Sequence, residues 1–305
     1  MTHRECVAAG TALLEKAQVP EAALDALELY LYVTGMSRAY YLMYREDAAP
    51  QTAADRYAQL IELRASRVPL QHITGEQEFY GRAFHVSGDV LIPRQDTEVL
   101  VETVLQDVRR GVFGSESRAA ATEIPQGRAA EDAPAESPLR ILDLCTGSGC
   151  IAVTLALETG ANVTASDLSP AALRVAHGNA SGLGARVTFL EGDLWDALPE
   201  DAGPFDIIVS NPPYIRAAEL EDLQPEVRDH DPRMALDGGE DGLVFYRRIA
   251  AGAPAYLADN GRLYVEMGAE QGPDVEALFA AAGFSEIRTV RDLAGLDRVV
   301  CGVKR

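Results

Sequence analysis

The chain has 305 residues, 47% of them hydrophobic and 24% charged, and a formal net charge of −20. No apolar run approaches the roughly 20 residues of a membrane span, and the charged N-terminus "MTHRECVAAGTALLEKAQ" lacks the apolar core of a signal peptide, so a cytoplasmic protein without membrane contact is expected. Four scattered cysteines without a C-x-x-C pair and five histidines without metal-ligand spacing argue against a metal site or a disulfide framework, and the acidic surface opposes sequence-independent binding to a phosphate backbone.

Residues 1–68 carry apolar residues at three- and four-residue spacing in "ECVAAGTALLEKAQV", "AALDALELYLYVTG" and "AADRYAQLIELRASRV", punctuated by Gly35 and Pro50. They predict a small N-terminal helical bundle, either a structural cap or a holder of a partner. Residues 69–92 turn to short β-rich runs separated by Gly75, Gly81 and Gly88, which predicts a β-hairpin linker. Helical periodicity resumes in "PRQDTEVLVETVLQDVRR", with Asp96 and Thr97 as N-terminal caps, and opens a second domain over 93–305. Within it, 111–138 is rich in Ala, Glu, Ser, Pro and Gly, and reads as a low-complexity surface insertion.

From Leu139 onward, short apolar strands alternate with helical patterns. The expected strands are "RILDL", "NVTASD", "RVTFLEGD", "FDIIVSN", "GRLYVEM", "EIRTVRD" and "DRVVCGVK", with helices starting near Cys150, Pro170, Gly242 and Pro273. Such alternation builds a mostly parallel α/β sheet. Only "LAGL" separates the last two strands, too short for a parallel crossover, so they should pair antiparallel.

Chemistry concentrates where these strands end. After "ILDL" comes the glycine loop Thr146-Gly147-Ser148-Gly149 and then a helix, an arrangement that brings backbone N–H groups to a ligand. Asp167 ends the next strand about twenty residues later, where a carboxylate can accept the ribose hydroxyls of an adenosine ligand, although Asp167 or Ser169 can also cap the following helix. The third strand ends "EGDLWD": Asp193 can meet an adenine amino group, and Trp195 can cover the cofactor or serve the core. No lysine follows the glycines, which disfavours a Walker-type NTPase. The fourth strand ends Asn211-Pro212-Pro213-Tyr214. The Asn211 side-chain oxygen and the Pro212 carbonyl, held rigid by the proline pair, form two acceptors aimed at one planar NH2 group, and Tyr214 can lie on its face.

"NPPY" at that place resembles the motif of S-adenosylmethionine-dependent methyltransferases that act on exocyclic amines of nucleic-acid bases or on a glutamine amide. "PLQHITGEQEFYG", "LIPRQDTEVLVE", "ILDLCTGSGCIA", "RDHDPRMALDGGEDGLVFYRRI" and "DLAGLDRVV" are much more specifically similar to the bacterial peptide chain release factor glutamine N5-methyltransferases, the HemK/PrmC family, over nearly the whole chain. The resemblance implies a Rossmann-like class I methyltransferase sheet with its last strand antiparallel. It also implies S-adenosyl-L-methionine as cofactor, S-adenosyl-L-homocysteine as product, and the glutamine of the Gly-Gly-Gln loop in class 1 release factors as substrate, with the helical bundle recognising that protein. It puts Asn211 and the Pro212 carbonyl on the glutamine NH2 with Pro213 and Tyr214 beside them. Thr146, Gly147, Ser148, Gly149, Asp167, Asp193, Trp195 and Asn211 fall around the cofactor. A monomer without direct nucleic-acid contact is expected.

Two departures stand out: most members write Arg-Pro-Glu-Thr-Glu where this chain has Arg94-Gln95-Asp96-Thr97-Glu98, and 111–138 is longer than the usual connection. The roles of Arg94, Thr97, Glu98 and Glu266 stay open. The rivals are a DNA or RNA adenine N6-methyltransferase, opposed by the net charge, and a cofactor-binding protein without catalysis, opposed by the intact motif.

Overall fold

The computed structural model describes residues 1–113 and 138–305; the expected insertion at 111–138 lies almost wholly outside the described residues. The chain divides into two compact units, Met1–Glu76 with Val86–Gly88 and Asp222–Asp231, and Gln77–His85 with Asp89–Glu221 and Pro232–Arg305.

The first unit contains the helices His3–Lys16, Ala22–Thr34, Arg38–Tyr44, Gln51–Ala65 and Leu70–Thr74. Thr2 and Glu5 close a reciprocal capping box on the first helix. Ala22, Ala26, Leu29 and Tyr30 recur at helical spacing and meet Tyr57, Leu60 and Ile61 in one core. Arg38–Tyr44, capped by Ser37, has no counterpart in the sequence reading. Nor does Leu70–Thr74, which follows Pro69 and ends at Gly75 in the left-handed region, where a β-run was expected.

The helix Pro225–Arg228 also belongs to this unit. Arg64 is buried, and donates to Asp25 at 2.7 Å and to Glu226 at 2.8 Å; Arg67 donates to Glu226 at 2.8 Å. A buried guanidinium must be paired, and Glu226 supplies a carboxylate from far along the chain.

The second unit holds the hairpin β1 (Glu76–Phe79) and β2 (Arg82–His85), whose first residue falls in the other unit, and a seven-stranded sheet. The sheet strands are β3 (Arg140–Leu144), β4 (Asn162–Asp167), β5 (Val187–Glu191), β6 (Phe205–Ser210), β7 (Leu257–Glu266), β8 (Phe284–Arg291) and β9 (Asp297–Lys304). Their order is β5-β4-β3-β6-β7-β9-β8. All pairs from β5 to β7 are parallel, while β9 runs antiparallel to both β7 and β8. The central strands are buried on both faces, as helical crossovers require. Helices Glu98–Arg109, Cys150–Thr159 and Pro170–Leu183 cover one face, and Val244–Tyr256 with Gly272–Ala281 cover the other.

β7 begins earlier than the sequence signals, at Leu257, because Asn260 takes φ 62 and a register shift carries the strand through the Asn-Gly pair. Chain order reverses beside β3, whose neighbours are β4 and β6. Open α/β sheets bind ligands outside the carboxyl ends of strands at such a switch point. Among the described residues no helix is long and apolar enough to cross a membrane.

Candidate active site

A cavity of about 350 Å³ opens at the carboxyl ends of β3, β4, β5 and β6. Thr146, Gly147, Ser148, Asp167, Asp193, Asn211 and Pro213 line it. Four separate sequence signals thus meet at one rim because parallel strands all end on the same side.

The glycine loop is shaped by its backbone. Cys145 leaves β3 with φ 61, unusual for a residue with a side chain. The Thr146 N–H donates to the Ser166 carbonyl at 3.0 Å, tying the loop to β4. Gly149 takes φ 80, and a Cβ there would stand 3.0 Å from the Cβ of Ala176, so glycine lets two helices meet closely. Asn179 fastens the same region: its Nδ2 donates to the carbonyls of Ser148 at 2.8 Å and His85 at 3.0 Å.

Asp167 ties the glycine loop to the start of the next helix. Its Oδ2 accepts the Gly147 N–H at 2.8 Å and its Oδ1 accepts the Ser169 N–H at 2.9 Å, while Ser169 itself caps the helix. Burial raises the Asp167 carboxyl above its ordinary value, against the pull of those N–H groups. Asp193 pairs with Arg248 at 2.9 Å. Cys145 and Cys150 also line the cavity, and burial pushes both thiols upward, Cys150 to about 12, which keeps them unreactive.

Trp195 packs against the core, one of the two roles open to it. It does not line the cavity; its indole N–H donates to the Arg248 carbonyl at 3.0 Å and its ring stacks on Tyr256 with centroids 5.0 Å apart. The 3-10 turn Leu194–Ala197 carries it. Pro212 and Tyr214 flank the lining residues Asn211 and Pro213 at the rim. Burial pushes the Tyr214 phenol up to about 12 and keeps it neutral.

The "NPPY" segment is braced by "RMALDGG", a support the sequence reading did not assign. The Ile215 N–H donates to the Leu236 carbonyl at 2.9 Å and the Gly238 N–H to the Ile215 carbonyl at 2.8 Å. A Cβ on Gly238 would lie 2.7 Å from the Tyr214 Cα. The buried amide of Gln271 donates to the carbonyls of Tyr214 at 3.1 Å and Gly242 at 3.2 Å.

Three buried polar residues around the site have surroundings that the sequence did not assign. Thr97, read as a cap, makes no side-chain cap bond and instead accepts from the Asn211 Nδ2 at 3.2 Å. Glu266 ends β7 beside it, and burial pushes its carboxyl up to about 7. Asp143, in the middle of "ILDL", is pushed by burial to about 7 and accepts from the Thr146 hydroxyl at 2.6 Å. An acid inside an otherwise apolar strand is the signal that would have found Asp143.

The cavity suits S-adenosylmethionine. Its volume falls in the range of small-molecule sites, Ile151, Leu168 and Phe245 supply apolar walls, and nothing lies within 4 Å of where a Gly147 side chain would begin. Loop N–H groups and the acids Asp167 and Asp193 supply polar contacts.

Comparison with known proteins agrees with this arrangement. Residues 5–75 match the family described as PrmC N-terminal domain, and residues 141–230 match the family described as methyltransferase domain. A protein of Geobacter sulfurreducens named release factor glutamine methyltransferase is 47% identical over 80% of this chain and 76% of its own length. One of the same name from Cereibacter sphaeroides is 40% identical over 98% of both chains. Among solved structures, the human Mettl16 catalytic domain superposes with TM-score 0.53 at 13% identity, covering 80% of this chain and 82% of that one. The T. thermophilus 16S rRNA N2 G1207 methyltransferase in complex with AdoMet and guanosine gives TM-score 0.50 at 19% identity, covering 75% of this chain and 50% of that one. These two show the methyltransferase fold alone.

Proposed function

The chain belongs to the release factor glutamine methyltransferase family, and from that premise we propose that it methylates the side-chain amide N5 of the glutamine in the Gly-Gly-Gln motif of class 1 peptide chain release factors. The observation that carries the residue assignment is the position of Asn211: it lines the cavity beside the glycine loop, and its NH2 end donates to Thr97, which leaves Oδ1 as an acceptor.

S-adenosylmethionine supplies an activated methyl group and leaves as S-adenosylhomocysteine. The protein's task is positioning. An amide nitrogen is a poor nucleophile because its lone pair is delocalised into the carbonyl. Asn211 Oδ1 and the Pro212 carbonyl accept its two N–H bonds, fix its direction and favour positive charge developing on nitrogen. Pro213 and Tyr214 hold that acceptor pair in place, and Thr146, Gly147, Ser148, Gly149, Asp167 and Asp193 form the cofactor's side of the site. The methylated nitrogen is a strong acid and sheds its proton readily, so no histidine base is needed. The protein works as a cytoplasmic monomer on a protein substrate, with the helical unit recognising the release factor.

A base-amine reading is disfavoured by the net charge of −20. The test is incubation with S-adenosylmethionine and unmethylated release factor, followed by peptide mass spectrometry. One methyl on the Gly-Gly-Gln glutamine is the expected product. Label entering DNA or RNA, with none in the release factor, would replace the reading by the base-amine one.

A further inference from the structure

The two ends of an asparagine amide are alike in size and opposite in hydrogen-bonding sense. Only one flip of Asn211 offers the cavity an acceptor, so something must select it. Thr97 and Glu266 are each 2% exposed. The Asn211 Nδ2 donates to Thr97 Oγ1 at 3.2 Å, and Thr97 and Asn211 lie close enough to the Glu266 carboxyl to favour its ionised form. The Glu266 Oε2 is buried without a hydrogen-bond partner. Resting on the function proposed above, we infer that Thr97 and Glu266 are positioning residues that select the flip of Asn211 and so fix the acceptor presented to the substrate amide.

The selection follows from counting protons. An ionised carboxylate only accepts. The single Thr97 hydroxyl proton therefore goes to Glu266, and the threonine oxygen has only lone pairs to offer Asn211. The Asn211 NH2 turns inward to meet them, directly and toward the carboxylate, and Oδ1 faces the cavity. Protonation of Glu266 reverses the logic. The acid now donates to the threonine oxygen, the threonine proton is released toward Asn211, and the flip with Oδ1 inward becomes the favoured one.

The charge state of Glu266 is set where it can matter. Burial raises its carboxyl to about 7, Arg298 opposes that and Asp96 adds to it. The other titratable groups facing it, Tyr214, Tyr246 and Cys150, are all pushed upward by burial and stay neutral through this range. The methyl-transfer rate should therefore fall as pH drops through about 7.

The experiment measures single-turnover methylation of release factor across pH for the wild type, Thr97→Val, Thr97→Ser and Glu266→Gln, with S-adenosylmethionine affinity by calorimetry as the check on folding. The wild type should lose rate below pH about 7. Thr97→Val should slow transfer roughly 10-fold or more while binding the cofactor normally, Thr97→Ser should restore most of that loss, and Glu266→Gln should be slower and flat with pH. A Thr97→Val enzyme at full rate, or a Glu266→Gln enzyme that keeps the acid limb, overturns the relay and leaves the proposed function standing. If Thr97→Val fails to bind the cofactor, the pH profile of Glu266→Gln decides alone. A wild type that methylates no release factor overturns the function and the relay with it.

Discussion

Gly238→Ala adds one methyl group outside the cavity and should disable the enzyme. The new Cβ would stand 2.7 Å from the Tyr214 Cα, 2.8 Å from its carbonyl carbon and 3.0 Å from the Gly242 Cα. Carbon atoms settle near 3.5–4.0 Å, so the two backbones must part by about 1 Å. All three neighbours are backbone atoms, and no side chain can rotate away. The displaced residue is one peptide from Pro213 and two from Pro212, whose carbonyl is an acceptor in the proposed site. A misplacement of about 1 Å can cost roughly 100-fold in rate, while overpacking of this kind costs about 1–3 kcal/mol of stability. Single-turnover methylation and denaturant titration read the two effects separately. Gly178→Ala is the control: it lies exposed within Pro170–Leu183 with nothing within 4 Å of the added methyl, and should gain about 0.5–1 kcal/mol at unchanged rate. A Gly238→Ala enzyme as fast and as stable as the control would refute the bracing role of "RMALDGG".

Three further outcomes are expected. Gly149→Ala combines φ 80 with a 3.0 Å approach to the Ala176 Cβ; strain of about 1–2 kcal/mol should appear by calorimetry as weaker S-adenosylmethionine binding, and unchanged affinity would contradict the loop geometry. Arg64→Met strands the buried Asp25 carboxylate and leaves Glu226 to Arg67 alone; it should cost about 3–5 kcal/mol, read by denaturant titration, and a loss below about 1 kcal/mol would mean the pair is solvated. Asp143 titrates near 7 folded and at 3.8 ordinarily, so the folded state binds the extra proton between those values and stability falls as pH rises through that window. Asp143→Asn should flatten this part of the stability–pH curve, and an unaltered slope would assign it elsewhere.

The sheet was legible because each strand after Leu139 is a short apolar run closed by a polar turn, and β3, β4 and β9 begin and end where the letters place them. The rim followed from topology, since one principle puts every carboxyl end on one side. What escaped the reading depends on contacts between distant residues. Thr97 carries the local signature of a cap, yet Asn211 lies 114 positions away and takes its oxygen. Trp195 had two roles open in the sequence, and its stacking on Tyr256, 61 positions away, is a contact that no local pattern reports. Glu226 lies between segments of the methyltransferase sequence, yet Arg64 and Arg67 draw it into the helical unit. Periodicity cannot report any of these, because each is decided by which buried charge or hydrogen-bonding group lacks a partner until the chain folds.

The central claim is that two acceptors at the end of β6 hold the reacting amide. Asn211→Ala tests it most directly, assayed by single-turnover methyl transfer to release factor at saturating S-adenosylmethionine. Loss of one acceptor should raise the barrier by about 2–4 kcal/mol while calorimetry finds the cofactor bound as tightly as before. Full turnover by that variant would contradict the account and move the chemistry away from Asn211.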